Sequence, residues 1–287
     1  MRVLITGGAS GQLKYELTRT CPEGVELCAE SGARLDITDS AAVNQTVGNA
    51  KPDVIINAAA YTAVDKAESD SEQAFAVNDT GVKHLCDAAA EHGCHLIHVS
   101  TDFVFGPGDG TPFLPSAATA PLSVYGQSKL NGEQHIQSLL PDAGLVVRTA
   151  WVYSSFGHNF VKSMLKLMSE RDSLGIVADQ VGSPTWANSL ARALWIAAEK
   201  RSCGLMHWTG AGVASWYDFA VAIYSQGRAL SLLTNTVDIK PIRSEQYPTP
   251  ATRPPFSVMD MTSTVESLDH FPAHWQHDLE QMLRELR

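Results

Sequence analysis

The sequence predicts an α/β fold, in which helices cover both faces of a doubly wound parallel sheet and a smaller C-terminal region follows. Three observations support this prediction. Short apolar runs alternate with helix-like spacing, a glycine-rich turn joins the first run to the first helix, and the pattern changes after about residue 153. The length of 287 residues suits one large or two small domains.

The apolar runs are the predicted strands, because they are short, nearly continuous and rich in valine and isoleucine. They lie at residues 3–5, 25–28, 54–56, 96–99 and 145–147. Helix-like spacing separates them at residues 12–20, 40–50, 71–92 and 125–140. Strands without polar alternation are typical of a parallel sheet that is buried on both faces, with right-handed crossovers. Thr38 or Asp39 can cap the second helix, and Lys51-Pro52 ends it.

Composition and charge exclude several classes of function. The formal net charge of -10 argues against a broad basic face, so nucleic acid is not an expected partner. The five cysteines form no C-x-x-C pair, which favours free thiols in a reducing cytosol over a disulfide framework. The N-terminal residues lead directly into the first strand rather than into a signal peptide, and no apolar run of about 18 residues occurs. We therefore expect a cytoplasmic protein that does not associate with membranes.

The first strand ends in a glycine-rich turn, G-G-A-S-G at residues 7–11, which opens the first helix. Glycines at such a junction let backbone N–H groups approach a pyrophosphate, as in Rossmann-type dinucleotide-binding folds. Lys14 replaces the third glycine of that pattern, and a plain glycine-rich turn is the alternative interpretation. The residues expected to contact NADH or NADPH here are Gly7, Gly8, Ser10, Gly11, Gln12 and Leu13.

The ends of the next two strands are expected to contact the same cofactor. Glu30 follows the second strand, about twenty residues after the turn, where a carboxylate can hold a ribose 2′-hydroxyl and repel a 2′-phosphate. That role favours NADH over NADPH, but an exposed glutamate after a strand is also an ordinary surface residue. Asp36 and Ile37 lie where the edge of an adenine can be contacted. Small residues after the third strand let a cofactor lie against the backbone, or merely pack closely; they are Ala58, Ala59 and Ala60.

A candidate catalytic group lies after the fourth strand and at the start of the following helix. Tyr125 and Lys129 are four residues apart, so they share one helix face. A nearby ammonium lowers the pKa of a phenol, which would let Tyr125 act as a general acid while Lys129 also holds the nicotinamide ribose. Thr101, at the end of the fourth strand, can donate a hydrogen bond to a substrate oxygen. The alternative is an ordinary amphipathic start of a helix.

The second half of the chain has a different pattern. Helix-like spacing continues at residues 159–170, 188–199, 215–224 and 278–286, whereas strands become sparse and prolines cluster between residues 241 and 255. Ligands of such sheets bind outside the carboxyl ends of the strands. We therefore expect an NAD(P)-binding domain over residues 1–153 and a mainly substrate-binding region over residues 154–287, with a soft boundary and the option of further strands in the main sheet.

These motifs together resemble the extended short-chain dehydrogenase/reductase family and, within it, the dTDP-4-dehydrorhamnose reductases. The likeness spans nearly the whole chain. It is carried by N-A-A-A-Y-T-A-V-D-K-A-E at 57–68, S-T-D-F-V-F at 100–105, Y-G-Q-S-K-L-N-G-E at 125–133, R-T-A-W-V-Y at 148–153, D-Q-V-G-S-P-T at 179–185 and R-P at 253–254.

The resemblance implies that Thr101, Tyr125 and Lys129 form a catalytic triad. It also implies NAD(P)H-dependent reduction of the C4 ketone of a thymidine-diphospho-sugar, dTDP-4-dehydro-L-rhamnose, in dTDP-rhamnose biosynthesis, by a monomer or homodimer. The substrate residues that it implies are Val64, Asp102, Phe103, Trp151, Asn159 and Arg253, the last of these at the diphosphate.

Several alternatives stay open within this resemblance. Related sugar-nucleotide dehydratases carry a glutamate after Thr-Asp, whereas this chain has Phe103, which disfavours dehydration. An epimerase that recycles its nicotinamide and a non-catalytic, reductase-like regulatory subunit are the other candidates. Some relatives pair through a carboxylate-bound metal, but Asn188 stands where a carboxylate is expected, so no metal site is predicted. His98, His158 and His207 show no ligand spacing and are interpreted as structural.

Overall fold

A computed structural model describes residues 1–8, 11–28 and 35–287. Its strands are β1 Arg2–Thr6, β2 Glu26–Leu27, β3 Val54–Asn57, β4 His95–Thr101, β5 Gly144–Thr149, β6 Val152–Tyr153, β7 Ser173–Val177, β8 Val181–Gly182, β9 Thr185–Trp186, β10 Gly204–His207, β11 Ala214–Ser215 and β12 Asp238–Ile242. Its α-helices are α1 Gln12–Arg19, α2 Ser40–Ala50, α3 Val64–Ala67, α4 Ser71–Phe75, α5 Gly81–His92, α6 Val124–Leu139, α7 Phe160–Glu170, α8 Ala187–Glu199, α9 Trp216–Ala229, α10 Thr262–Leu268 and α11 Trp275–Arg284.

Six of these strands form one parallel sheet in the order β10-β5-β4-β3-β1-β2. Thr6 at the end of β1 pairs with Asn57 at the end of β3, and Asn57 pairs with His98, beyond which β4 continues for three residues. On the other side of β4, Thr101 pairs with Thr149 of β5. Polar side chains from four strands therefore meet along one edge, where parallel sheets bind their ligands.

Helices cover both faces of the sheet, as the apolar runs predict. On one face, Val3 and Ile5 pack with α1 and α8 in a single buried cluster. On the other, Leu4 packs with α2, α5 and α6, because successive side chains of a strand point to opposite faces. The predicted doubly wound parallel sheet is confirmed.

Local sequence signals set several helix boundaries. Asp39 caps α2 by accepting a hydrogen bond from the Ala42 backbone N–H, 3.0 Å away, so Asp39 rather than Thr38 is the cap. Lys51 ends α2 in the left-handed region, at φ 44°. The predicted helix over residues 71–92 is divided: α4 passes into a π-helical segment, Ala76–Thr80, before α5.

The expectation of sparse strands in the second half is wrong in detail. Three two-stranded sheets occur beyond β5, pairing β6 with β9, β7 with β12 and β8 with β11. A separate apolar cluster joins α7, α9 and α11. β10 also lies beyond residue 153, yet it forms the edge of the main sheet beside β5. Within the described residues, no helix is both long and apolar enough to cross a membrane.

Candidate active site

A cavity of about 1000 Å³ lies along the carboxyl edge of the main sheet. The glycine turn forms one end, and Thr101, Tyr125 and Lys129 line the other. Predicted cofactor contacts that line this cavity are Gly7, Gly8, Gly11, Gln12, Leu13, Asp36, Ile37, Ala58, Ala59, Ala60, Tyr125 and Lys129. Ser10 and Glu30 lie outside the described residues.

Two glycines at the start of α1 lie in close contact with neighbouring backbone atoms. Gly7 has φ +115°, and a Cβ there would lie 3.2 Å from the Ala58 carbonyl oxygen. A Cβ on Gly11 would lie 3.0 Å from the carbonyl oxygen of Gly8. Positions 7 and 11 thus have no room for a side chain. The N-terminus of α1 lines the cavity through Gly11 and Gln12, where its N–H groups can bind a pyrophosphate. These residues fit an NAD(P)H cofactor.

Lys14 occupies the position of the third glycine without pointing outward. Its half-buried side chain folds back, and Nζ donates to the Gly7 carbonyl oxygen at 3.0 Å. One turn further along α1, Leu17 is fully buried against the sheet. The Lys14 hydrogen bond therefore stabilises the glycine turn, and α1 still packs on the sheet through Leu17.

The first turn of α6 brings Tyr125 to Thr101. Ser123 caps the helix by accepting a hydrogen bond from the Gly126 N–H at 3.1 Å. A Cβ on Gly126 would collide with the Phe103 carbonyl oxygen, so only glycine allows this approach. The Tyr125 hydroxyl lies within hydrogen-bonding reach of Thr101, and the Tyr125 ring packs edge-on against Phe103, with centroids 5.5 Å apart.

Burial sets the protonation of these groups. Burial raises the pKa of Tyr125 to about 12, an effect that the Thr101 hydrogen bond opposes and the charge of Asp102 adds to. Burial lowers the pKa of Lys129 to about 7. The expected lowering of the Tyr125 pKa by Lys129 is wrong for this arrangement, because Nζ contacts His98 and the Val99 carbonyl oxygen instead. Tyr125 is therefore a neutral phenol at pH 7 and can serve as a proton donor.

Asp102 lies beside this pair. Its Oδ1 accepts a hydrogen bond from the Thr101 hydroxyl at 3.1 Å, and Ser257 faces the carboxyl from the second half of the chain. Burial raises the pKa of Asp102 to about 6. A carboxyl group with this pKa exchanges a proton near neutral pH and can hydrogen-bond a sugar hydroxyl in either form.

Stacked aromatic rings form part of the cavity wall. Trp151 lines the cavity and stacks on Trp216, with ring centroids 3.6 Å apart. Phe160 packs against the other ring, with its centroid 4.7 Å from that of Trp216. Trp151 adopts φ 50°, an uncommon conformation for a bulky residue that the surrounding rings hold in place.

Four of the six predicted substrate residues line the cavity: Val64, Asp102, Phe103 and Trp151. The structure does not place the other two in its lining. Asn159 caps α7, and its side-chain NH₂ donates to the Gln12 side chain at 2.9 Å. Arg253 forms a two-pronged ion pair with Asp65, at 2.9 and 2.8 Å. Asn159 thus contacts the lining residue Gln12, whereas Arg253 contacts Asp65, which follows the lining residue Val64 in sequence.

Comparison with known proteins agrees with this geometry. The family model described as RmlD substrate binding domain matches residues 1–287. The chain is 40% identical to a dTDP-4-dehydrorhamnose reductase of Aggregatibacter actinomycetemcomitans, over 97% of each chain. The chain belongs to this reductase family. It superposes on the crystal structure of a Clostridium acetobutylicum dTDP-4-dehydrorhamnose reductase with a TM-score of 0.92, at 38% identity, covering 100% of this chain and 99% of that one.

A second solved member of the dTDP-4-dehydrorhamnose reductase family, from Bacillus anthracis, is in complex with NADP. It aligns with a TM-score of 0.90 at 32% identity, covering 99% of both chains. The predicted resemblance and the assignment as a nicotinamide-dependent oxidoreductase are confirmed by this membership.

Sequence reasoning missed several residues of the site in this reductase-family chain. His158, interpreted as structural, lines the cavity, as do Tyr61 and Gln73. His207 bonds the Asp260 carbonyl oxygen at 3.0 Å, away from that lining. A signal for Tyr61 was available in the segment 57–68, whereas nothing local points to Gln73.

Asn188, which stands where a metal-binding carboxylate was expected, forms a hydrogen bond with another side chain. The Asn188 side-chain NH₂ donates to the buried carboxylate of Glu16 at 2.9 Å, and Arg19 pairs with the same oxygen at 2.7 Å. Among residues 1–8, 11–28 and 35–287, no group of three or more histidine, cysteine, aspartate or glutamate side chains could hold a metal ion.

Proposed function

We propose that this chain reduces the C4 ketone of dTDP-4-dehydro-L-rhamnose to dTDP-L-rhamnose with NAD(P)H, in dTDP-rhamnose biosynthesis. One observation carries the proposal beyond family membership. The hydroxyls of Thr101 and Tyr125 meet in the same cavity that the glycine turn enters from its other end. A cofactor held at the turn would therefore extend toward a proton donor.

Four residues of the cavity would have separate roles in this reaction. The cofactor supplies a hydride when it is bound. Tyr125, a neutral phenol at pH 7, gives its proton to the oxygen that was the ketone. Thr101 turns its hydroxyl from Asp102 to the same oxygen and stabilises the developing charge. Trp151 and Val64 form apolar parts of the pocket and exclude water.

Position 103 favours reduction over dehydration. A dehydratase needs a second acid beside Thr-Asp to move a proton during loss of water, whereas Phe103 offers only an apolar ring against Tyr125. Reduction needs a hydride and one proton donor, and Tyr125 suffices. The intact Thr101, Tyr125 and Lys129 also disfavour a purely regulatory subunit.

The decisive experiment supplies the purified chain with dTDP-4-dehydro-L-rhamnose and either NADH or NADPH. We expect stoichiometric oxidation of the cofactor and formation of dTDP-L-rhamnose, followed by absorbance and mass spectrometry. A sugar product formed without net cofactor oxidation would identify an epimerase or dehydratase. Tight cofactor binding with no turnover of any keto-sugar nucleotide would identify a regulatory subunit.

Cofactor preference depends on Glu30, whose role comes from the sequence alone. A carboxylate at the ribose repels a 2′-phosphate, so we expect a lower KM for NADH than for NADPH. Glu30→Gln should reduce the difference between the KM values for NADH and NADPH. The reverse order of KM values in the unmodified chain would remove Glu30 from the ribose site.

The remaining features of the proposal follow from the sequence. We place the enzyme in the cytoplasm as a monomer or homodimer that binds no nucleic acid, in keeping with its net charge of -10. Residues 1–153 would supply the cofactor site, and residues 154–287 would add to the substrate pocket through Gly157, His158 and Leu190, which line the cavity. The division would not be strict, because Trp151, a predicted substrate residue that lines the cavity, precedes the boundary.

A further inference from the structure

A line of buried polar side chains runs beneath the cavity, from the strand that carries the glycine turn to the catalytic helix. Thr6 donates to Asn57 Oδ1 at 2.5 Å, Asn57 Nδ2 lies 2.8 Å from His98 Nδ1, and His98 Nε2 lies 3.1 Å from Lys129 Nζ. All four side chains are at most 1% exposed. The sequence assigns Lys129 to the nicotinamide ribose, whereas Thr6, Asn57 and His98 have no role in the proposed reaction.

The direction of each hydrogen bond in this line can be deduced. The backbone N–H of Ala59, which can only donate, lies 3.1 Å from Asn57 Oδ1. That contact identifies the oxygen of the amide, so the Asn57 NH₂ group faces His98 and donates to Nδ1. Burial holds the pKa of His98 well below its usual value. A neutral imidazole that accepts at Nδ1 carries its proton on Nε2.

The Nε2–H of His98 also determines the protonation state of Lys129. The His98 Nε2–H points at Lys129 Nζ, and an ammonium group has no lone pair with which to accept it. A neutral amine can accept from His98 while donating to the Val99 carbonyl oxygen, 2.7 Å away. The geometry therefore requires the neutral form of Lys129.

The surrounding charges do not reverse this conclusion. Glu133, on the same helix, is the carboxylate that favours the ammonium form of Lys129. It is already paired with Arg148 of β5 at 2.6 Å and accepts a hydrogen bond from Ser100 of β4 at 2.5 Å. From the cavity side, Tyr125 is a neutral phenol, and the Asp102 carboxyl accepts a hydrogen bond from Thr101 rather than from Lys129. Burial dominates and lowers the pKa of Lys129 to about 7.

We propose that His98, fixed in its Nε2–H tautomer by Asn57, is a positioning residue that holds Lys129 as a neutral amine until NAD(P)H binds, and that binding takes up one proton. The proton comes from solvent and converts the Lys129 amine to an ammonium, with no other bond made or broken. The ribose oxygens of the cofactor accept the new N–H donors, which favours the charged form. The ammonium, facing the His98 N–H, is displaced toward the ribose.

Proton uptake can be measured without any sugar substrate, so the result is independent of whether the proposed reduction occurs. The chain is titrated calorimetrically with NADH or NADPH at pH 8, in buffers that differ in ionisation enthalpy. We expect uptake that approaches one proton per site at pH 8 and falls toward zero at pH 6, where free Lys129 is already charged. Lys129→Met should abolish the uptake at pH 8. No uptake by the unmodified chain, or equal uptake by Lys129→Met, would overturn the proposal.

Asn57→Asp tests the relay itself. A carboxylate accepts from both the Ala59 N–H and His98 Nδ1–H, so His98 Nε2 becomes an acceptor for the Lys129 ammonium. We expect this variant to bind the cofactor with little proton uptake at pH 8. Asn78→Asp is the matched control, because Asn78 is equally buried but bonds Tyr61 and Ser128 instead of His98. Folding is checked by thermal unfolding, and a folded Asn57→Asp variant with unmodified uptake would contradict the role of His98.

Discussion

Tyr125 illustrates how burial, rather than residue type, sets the chemistry of a side chain. The spacing of Tyr125 and Lys129 on one helix face was predictable, because four residues make about one helical turn. The direction in which Lys129 points was not predictable, because it depends on His98, a residue of another element 31 positions away in sequence. Sequence reasoning therefore found the members of the site but assigned the wrong electrostatic partner to the phenol.

Removal of the Tyr125 hydroxyl should affect catalysis and leave cofactor binding in place. We expect Tyr125→Phe to lower kcat by about two orders of magnitude or more, the usual scale of lost acid catalysis. The measurement is steady-state cofactor oxidation together with the Kd for NADH. Tyr224→Phe is the matched control, because that hydroxyl contacts the Asn235 carbonyl oxygen outside the cavity lining. Full activity of Tyr125→Phe would exclude the phenol from the mechanism.

At the scale of elements, long periodic segments were predictable and short paired ones were not. The helix predicted over residues 125–140 is α6, Val124–Leu139, and each predicted strand lies within one or two residues of an observed one. β8 and β11 have two residues each, too few to show a period, and they exist because distant segments pair. The π-helical segment after α4 was likewise invisible to a periodicity argument.

Close approach between α6 and the turn that follows β4 should be essential to the site. We expect Gly126→Ala to push the two apart, because its Cβ would overlap the Phe103 carbonyl oxygen. The expected effects are a fall in kcat of roughly tenfold or more and a loss of about 1–3 kcal/mol in the free energy of unfolding.

Gly48→Ala provides the control for helix propensity. Gly48 lies inside α2, where a Cβ would meet only the ring of the exposed His92 side chain, at 3.1 Å. That ring can move aside, so the substitution should leave activity unchanged and stability equal or slightly higher. If Gly126→Ala behaved like Gly48→Ala in both assays, the packing argument for α6 would be wrong.

At the scale of the whole molecule, buried hydrogen bonds connect α1, the helix that begins at the glycine turn, to the second half of the chain. Glu16 of α1 is fully buried and accepts hydrogen bonds from Ser154 at 2.7 Å and Asn188 at 2.9 Å. Arg19 completes the cluster and also pairs with Glu285 at 2.8 Å. These partners lie 138, 172 and 266 positions from their donors or acceptors, so no local pattern could have predicted them.

Glu16→Ala should therefore loosen the cofactor helix as well as destabilise the fold. It leaves Asn188 and the partly exposed Arg19 without their shared acceptor, which we expect to cost about 2 kcal/mol in the free energy of unfolding. Because α1 presents its N-terminus to the cofactor, the Kd for NADH should also rise, and the cofactor should protect the variant less against thermal unfolding. Glu280→Ala is the control, since it breaks only the exposed pair with Arg284 and should change neither value measurably. Equal melting temperatures and equal Kd values for the two variants would show that the hydrogen bonds of Glu16 stabilise neither the fold nor the cofactor-binding position of α1.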